Sequence, residues 1–278
     1  MTSGSGATVP PLIAFIEHDP SDPPLRLGEW FRDAGARLQV IRPHAGEQIP
    51  DSTQGFDGLV SLGGEMGAND DHVARWLPAT RRLLATAAAD GTPTLGVCLG
   101  AQLLAVATGG EVRRGADGPE IGAYLAAKRD AASADPLFAD VPMTPDVMQY
   151  HYDAITRLPP GAVLLLTGTG YPNQAFRVGR SAWGVQFHIE TSADDVRAWG
   201  RSDPNGPTRA GAGTDRDRAE ATGRLGPMLD EAAEAAAVVW ADLARRFVEL
   251  ARGPRPDKQS AGRLPLGLTP TVTERPGR

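Results

Sequence analysis

Cysteine is nearly absent from this sequence: Cys98 is the single thiol among 278 residues. One thiol excludes an intrachain disulfide and any zinc site built from several cysteines, and it fits a reduced, cytoplasmic setting. Also missing is an apolar run near the roughly 20 residues a membrane-spanning helix needs. The opening segment is uncharged and rich in Ser, Gly and Thr. It has neither the basic stretch nor the long apolar core of a secretory signal, so residues 1–10 read as a flexible leader. No block of Lys and Arg precedes the C-terminal tail, and the net charge is −6. Neither a membrane nor a nucleic acid is expected as a partner. No internal repeat is evident. What is present is apolar material, 41% of the chain, enough for a sizeable core in one large domain or two small ones.

The first third alternates between strand and helix patterns. Leu12–Glu17, Leu38–Ile41, Gly58–Leu62 and Thr94–Val97 read as short apolar strands. Leu25–Ala34, Ala74–Ala89 and Leu99–Thr108 carry helical spacing, the last closed by Gly109–Gly110. That alternation predicts a parallel sheet covered on both faces, an α/β fold. Beyond Gly110 come short strand-like pieces at Ile121–Ala126, Val147–Tyr150, Ala162–Thr167, Ala175–Val178 and Trp183–Phe187. They read as added strands finishing one domain that spans residues 11–200. Residues 201–226 read as an irregular insertion. Residues 227–252 form an amphipathic helix packed on the domain, with an apolar stripe that leaves a homodimer possible. The Pro/Gly/Arg-rich tail, 253–278, reads as disordered.

Cys98 sits in Gly96-Val97-Cys98-Leu99-Gly100, between an apolar strand and a helix. A nucleophile there occupies a sharp turn, and flanking glycines relieve the crowding around it. The following helix turns its positive dipole end and free N–H groups toward the sulfur, which favours thiolate. The Leu99 N–H is placed to donate to an oxyanion. Without such neighbours, a lone cysteine would be read as buried and inert.

Trp183 to Glu190 reads as a strand with His188 at its end. In extended chain, side chains two residues apart point the same way, so Glu190 can orient one imidazole nitrogen and leave the other for sulfur. His151 is a rival base, or else a wall of the substrate site. His18, His44 and His72 have no acidic or cysteine constellation beside them in sequence and read as surface or loop residues, His18 with the option of lining the site mouth. Asp70–Asp71 reads as a solvated loop rather than a metal site. Gly63–Gly64 has no following Lys-Ser/Thr and is no P-loop. No metal and no cofactor are expected.

These segments together resemble the class I, triad-type glutamine amidotransferases. The family's Gly-x-Cys-x-Gly-x-Gln is matched by Gly96, Cys98, Gly100 and Gln102. Its His-Pro-Glu is matched by His188 and Glu190, with Ile189 in place of proline. Leu62-Gly63-Gly64-Glu65-Met66 is similar to its oxyanion loop, and Gln149-Tyr150-His151-Tyr152-Asp153 to its His-x-Asp segment. The stretches GGEMGAND, LGVCLGAQLLA, GPEIG, DPLF, NQAFR and GVQFHIE resemble the stand-alone, GMP-synthase-like branch. The resemblance implies a flavodoxin-like three-layer sandwich with a mostly parallel central sheet. It implies a Cys98–His188–Glu190 triad, an oxyanion hole from Gly64 and Leu99, and glutamine contacts from Gln102, Tyr150 and His151. A cysteine-bearing α/β-hydrolase would place its acid before the histidine, which does not fit this order.

Three functions follow from the resemblance. The chain is a glutaminase that passes ammonia to a separate synthetase, a γ-glutamyl peptidase or hydrolase acting alone, or a non-catalytic module that keeps the fold. No synthetase-type nucleotide motif is found, so an ammonia acceptor is expected on another chain, or not at all.

Overall fold

The computed structural model describes residues 9–203 and 225–253. The leader up to residue 8, residues 204–224 of the segment read as an insertion, and the tail from 254 lie outside the described residues.

The chain opens β1 (Leu12–Ile16), α1 (Leu25–Asp33), β2 (Arg37–Ile41), β3 (Gly58–Ser61), α2 (Leu77–Asp90), β4 (Thr94–Val97), α3 (Leu99–Ala107). Seven strands come next: β5 (Glu111–Arg114), β6 (Glu120–Leu125), β7 (Ala127–Lys128), β8 (Asp146–His151), β9 (Asp153–Arg157), β10 (Val163–Thr167) and β11 (Ala175–Val178). The last elements are β12 (Ala182–Val185), α4 (Ala193–Ser202) and α5 (Pro227–Arg252). The eight-stranded central sheet has the order β2-β1-β3-β4-β12-β11-β10-β7. From β2 to β12 every pairing is parallel, and from β12 to β7 every pairing is antiparallel.

Residue chemistry explains the order. Strands β3, β4 and β12 are buried at every position, as central parallel strands with helices on both faces must be. Strand β2 mixes exposed and half-buried residues and takes the edge. Helices α2 and α3 bury one face of the sheet around Leu83, Leu84, Leu103 and Leu104. Helices α1 and α5 bury the other around Phe31, Trp240 and Phe247. The result is the flavodoxin-like α/β sandwich.

Helix α5 spends its apolar stripe inside its own domain. Trp240 stacks on Phe187 at 5.1 Å between ring centroids, and Phe247 meets Phe31 at 5.4 Å. That stripe is therefore not a free dimer surface. In the DPLF stretch, Asp135 is buried. Its Oδ1 accepts from the N–H groups of Leu137 and Phe138 and from Trp183 Nε1 (3.0 Å), while Oδ2 accepts from Arg177 Nε (2.7 Å). One carboxylate thus ties a turn to β11 and β12.

Several expectations need adjustment. Helix α2 begins at Leu77 rather than Ala74, with a proline in its first turn, where the missing N–H costs nothing. Strands β6 and β8 leave the central sheet and pair with each other, and β5 pairs with β9. Strands β5 and β9 were not expected: each is short and carries charged residues, so neither shows an apolar pattern. Helix α4 was also missed, and it runs through Arg201 and Ser202, into the segment read as irregular. Its signal was in the sequence: Ser192 and Asp195 form a capping box.

Candidate active site

Cys98 links β4 to α3 at φ 48° and ψ −106°, a conformation L-residues rarely adopt. Tertiary bonds hold it there: the Cys98 N–H donates to Val185 O (2.8 Å) and the Gly100 N–H to Leu62 O (3.0 Å). The glycine frame is a packing requirement. A methyl group at Gly96 would lie 2.5 Å from Gly100 O, and one at Gly100 only 1.9 Å from Ser61 O. Leu99 opens α3, so its N–H has no carbonyl four residues back and is free for an anion at the helix start.

Strand β12 lies beside β4, with Val185 opposite Val97. This parallel pairing delivers the chain after Val185 next to the chain after Val97, which puts His188 against Cys98. The His188 N–H donates to Met148 O (2.8 Å), anchoring the segment on β8. The strand read as running to Glu190 stops at Val185, so the His188–Glu190 contact forms in irregular chain. It forms nonetheless: His188 Nδ1 and Glu190 Oε1 are 2.5 Å apart, and Glu190 Oε2 accepts from the Ile189 N–H at 2.8 Å. The Cys98 thiol donates to Tyr150 O and accepts from Gln186 Nε2, each at 3.9 Å, and the His188 ring is close enough to feel the charge of the sulfur. Burial alone would push the His188 pKa down. The Glu190 carboxylate and the Cys98 sulfur outweigh burial and hold it well above the usual histidine value.

Cys98, Leu99, Gly64, Gln102, Tyr150, His151 and His188 all border one cavity of about 500 Å³. Glu190 stands behind His188, fully buried. His151 is committed elsewhere: Nδ1 donates to Asp153 O (2.9 Å) and Nε2 faces Glu120 Oε2 (3.0 Å). Both ring nitrogens are occupied, which favours His188 as the available base. The Gln102 side-chain amide donates to Asp153 O and Gln186 Oε1, and the Tyr150 hydroxyl donates to Asp203 (2.9 Å). Burial, reinforced by Asp203, raises the Tyr150 pKa and keeps it a neutral phenol.

Several cavity residues lie outside the motifs read from the sequence, Trp199, Asp203 and Asp22 among them. Trp199 on α4 lies 4.6 Å from the His188 ring, and Asp203 accepts from both Tyr150 and Tyr152. Asp22, from the loop between β1 and α1, is buried against His188 and Glu190. None belongs to the motifs around Cys98 and His188, and only the fold gathers them. Among the described residues, Asp22, His188 and Glu190 also form the group spaced for a cation, with ligand atoms within 4.8 Å of one another. The fit is poor. Two ligands of a tetrahedral zinc at about 2.0–2.1 Å sit about 3.3 Å apart, whereas His188 Nδ1 and Glu190 Oε1 are 2.5 Å apart.

His18 is not a surface residue; it is fully buried. Trp76 Nε1 can only donate, and it donates to His18 Nδ1 (3.1 Å), so Nε2 carries the proton shared with Ser61 Oγ (2.9 Å). Burial lowers the His18 pKa to about 3. The unfolded chain then takes up this proton near pH 6.5 and the folded chain does not until about pH 3. The His18 contribution to stability is expected to fall by about 1.4 kcal/mol per pH unit between those limits as the solution is acidified. Urea midpoints at pH 7, 6, 5 and 4 check this against His18→Gln, which keeps one acceptor and one donor. Parallel pH slopes for the two proteins would refute it.

A strained cysteine elbow facing a buried imidazole–carboxylate pair on an α/β sandwich has the groups that thiol acyl transfer requires. The sequence model of the family "Glutamine amidotransferase class-I" matches residues 27–197. The chain belongs to this family. It is 27% identical over 197 residues to the glutamine amidotransferase-like protein YfeJ of Salmonella typhimurium, covering 66% of this chain and 77% of that one. It is 35% identical over 157 residues to the gamma-glutamyl-L-1-hydroxyisopropylamide hydrolase of a Pseudomonas species, covering 50% and 49%. It is 36% identical over 140 residues to the GMP synthase of Symbiobacterium thermophilum, covering 49% of this chain and 25% of the synthase. The chain thus spans about half the length of that hydrolase and a quarter of that synthase. Among solved structures, a glutamine amidotransferase of Thermotoga maritima superposes with a TM-score of 0.71 at 28% identity, covering 87% of this chain and 98% of that one. A glutamine amidotransferase of Methylobacillus flagellatus gives 0.74 at 27%, covering 89% and 96%. Among the described residues, no helix is long and apolar enough to cross a membrane.

Proposed function

We propose that this chain hydrolyses the γ-amide of glutamine through a thioester on Cys98. The observation that carries the reading is a single one: the sulfur, on a strained elbow, shares a cavity with an imidazole that is bonded to a buried carboxylate. His188 takes the thiol proton, and the sulfur attacks the γ-carbonyl carbon. The oxygen becomes an oxyanion and is held by the N–H groups of Leu99 and Gly64. The C–N bond breaks as His188 returns the proton to the departing nitrogen, releasing ammonia and leaving a γ-glutamyl thioester. Water, deprotonated by His188, attacks the thioester; glutamate leaves and the thiol is restored. Gln102, Tyr150 and His151 hold the amino-acid end of the substrate. The ammonia passes to a synthetase on a separate chain.

A second reading is favoured by the size and wall of the cavity. About 500 Å³ lies within the range that encloses drug-sized ligands, more than a free amino acid fills. The leaving nitrogen must face His188, which protonates it, and the neighbouring wall there is the Trp199 ring. An amide whose nitrogen carries an organic substituent would find an aromatic surface on that side. The matched Pseudomonas hydrolase is named for such a γ-glutamyl amide. The purified protein should be incubated with glutamine and, separately, with γ-glutamyl dipeptides, and glutamate release measured. Release from glutamine is the expected result. Release from the dipeptides alone would sink the glutamine reading and establish the second.

A further inference from the structure

Asp22 is the buried ionisable group that the proposed chemistry leaves without a task. It is 3% exposed, and among the described residues no N–H or hydroxyl donates a hydrogen bond to either of its carboxyl oxygens. A buried carboxylate left in that condition would carry the full desolvation cost of its charge. The side chain lies over Gly63, which has no room for anything larger than hydrogen. A methyl group there would stand 2.0 Å from Asp22 Oδ2 and 3.1 Å from His188 Cε1. Asp22 is thus inserted against the imidazole–carboxylate pair.

The charged neighbours come from two elements. Asp19 shares the loop with Asp22, and Glu190 and His188 face it from the segment after β12, with the Cys98 sulfur beyond the imidazole. Two carboxylates and one imidazole in a dry site cannot all hold their charges without cost. Burial first, then the negative charge of Glu190, raises the Asp22 pKa well above the usual carboxylate value, and His188 offsets this only in part. A neutral Asp22 has an O–H to donate. Glu190 already accepts from His188 on Oε1 and from the Ile189 N–H on Oε2, and each carboxylate oxygen has a second lone pair. A proton between the two acids accounts for oxygens that otherwise have no partner.

We propose that Asp22 is a positioning residue of this site, its carboxylic-acid O–H donating a hydrogen bond to the Glu190 carboxylate that orients His188. Asp22 acts by holding Glu190, and through Glu190 the imidazole, in the geometry that proton transfer needs. No covalent step is added. The inference rests on the reading of Cys98, His188 and Glu190 as the reacting centre.

Two measurements separate this inference from that reading. The first is independent of turnover: an infrared difference spectrum at pH 7 between wild type and Asp22→Asn. A carbonyl stretch of a protonated carboxylic acid, present in the wild type and lost in the variant, is expected. Its absence would overturn the inference even if the protein hydrolyses glutamine well. The second is kinetic. Asp22→Asn keeps an N–H donor and is expected to stay within about threefold of wild-type kcat, whereas Asp22→Ala is expected to lose about 10- to 100-fold in kcat with KM little changed. An alanine variant at wild-type kcat, or an asparagine variant as slow as alanine at equal thermal stability, would overturn it. Should the wild type hydrolyse no γ-glutamyl amide, the infrared band alone decides whether the shared proton exists.

Discussion

Cys98→Ala is expected to abolish glutamine hydrolysis, by about a million-fold in kcat, and to leave the fold intact. The size follows from the division of labour. In a nucleophile–base–acid unit, removing the nucleophile costs nearly as much as removing all three, because the base and acid have nothing left to activate. What survives is the stabilisation offered by the Leu99 and Gly64 N–H groups and by substrate binding. The fold should persist because the backbone at Cys98 is held by bonds from Cys98 N to Val185 O and from Gly100 N to Leu62 O, and neither uses the thiol. Binding should persist too, so that glutamine still raises the melting temperature of the variant. A glutamine-analogue electrophile supplies the complementary readout by mass spectrometry. It should add one label to the wild type, on the peptide that holds Cys98, and none to the variant. An alanine variant that retained even a few per cent of wild-type turnover would remove Cys98 from the mechanism.

Gly100→Ala should be the most destabilising single methyl addition near the site. Its Cβ would fall 1.9 Å from Ser61 O and 2.6 Å from Ser61 C, backbone atoms that no rotamer change can move. Either α3 lifts away from β3, breaking the Gly100 N to Leu62 O bond, or the end of β3 shifts. Overpacking of this kind costs about 3 kcal/mol or more, equivalent to a fall in melting temperature of roughly 6–12 °C for a domain of this size, or failure to fold. Gly46→Ala is the control. That glycine has φ +93° and nothing within 4 Å of the added methyl, so its cost is confined to backbone strain of about 1–2 kcal/mol. Thermal unfolding of both variants decides the matter. Equal losses would mean that Gly100 serves the turn only, with no close contact beneath it.

The helix and strand pattern was legible wherever one residue class dominated a segment. Strands β1, β3 and β4 are apolar runs because both of their faces are covered, and a covered strand has no polar side to confuse the reading. Helix α5 declared itself through spacing alone. The elements that escaped were those whose pattern depends on partners. Strand β5, with the sequence Glu-Val-Arg-Arg, is a strand because β9 pairs with it, and nothing in those residues says so. Helix α4 lies in a polar stretch, and the Ser192–Asp195 capping box is its one local signal.

The site divides in the same way. Sequence alone marked Cys98 as the candidate nucleophile, with its glycine frame and the proximity of His188 to Glu190, since these are local relations within a few residues. Only the tertiary structure brought Cys98 to His188, by setting β12 beside β4 in parallel with Val185 opposite Val97. It also gives the histidines different surroundings: both ring nitrogens of His151 face Asp153 and Glu120, and His18 is locked between Trp76 and Ser61. Asp22 and Trp199 entered the site in this way alone. They come from loops and helices distant in sequence, and the ends of parallel strands gather such segments at one edge of the sheet. Residue types and short spacings record what a chain segment can do by itself. Which groups are buried side by side depends on how the sheet is ordered.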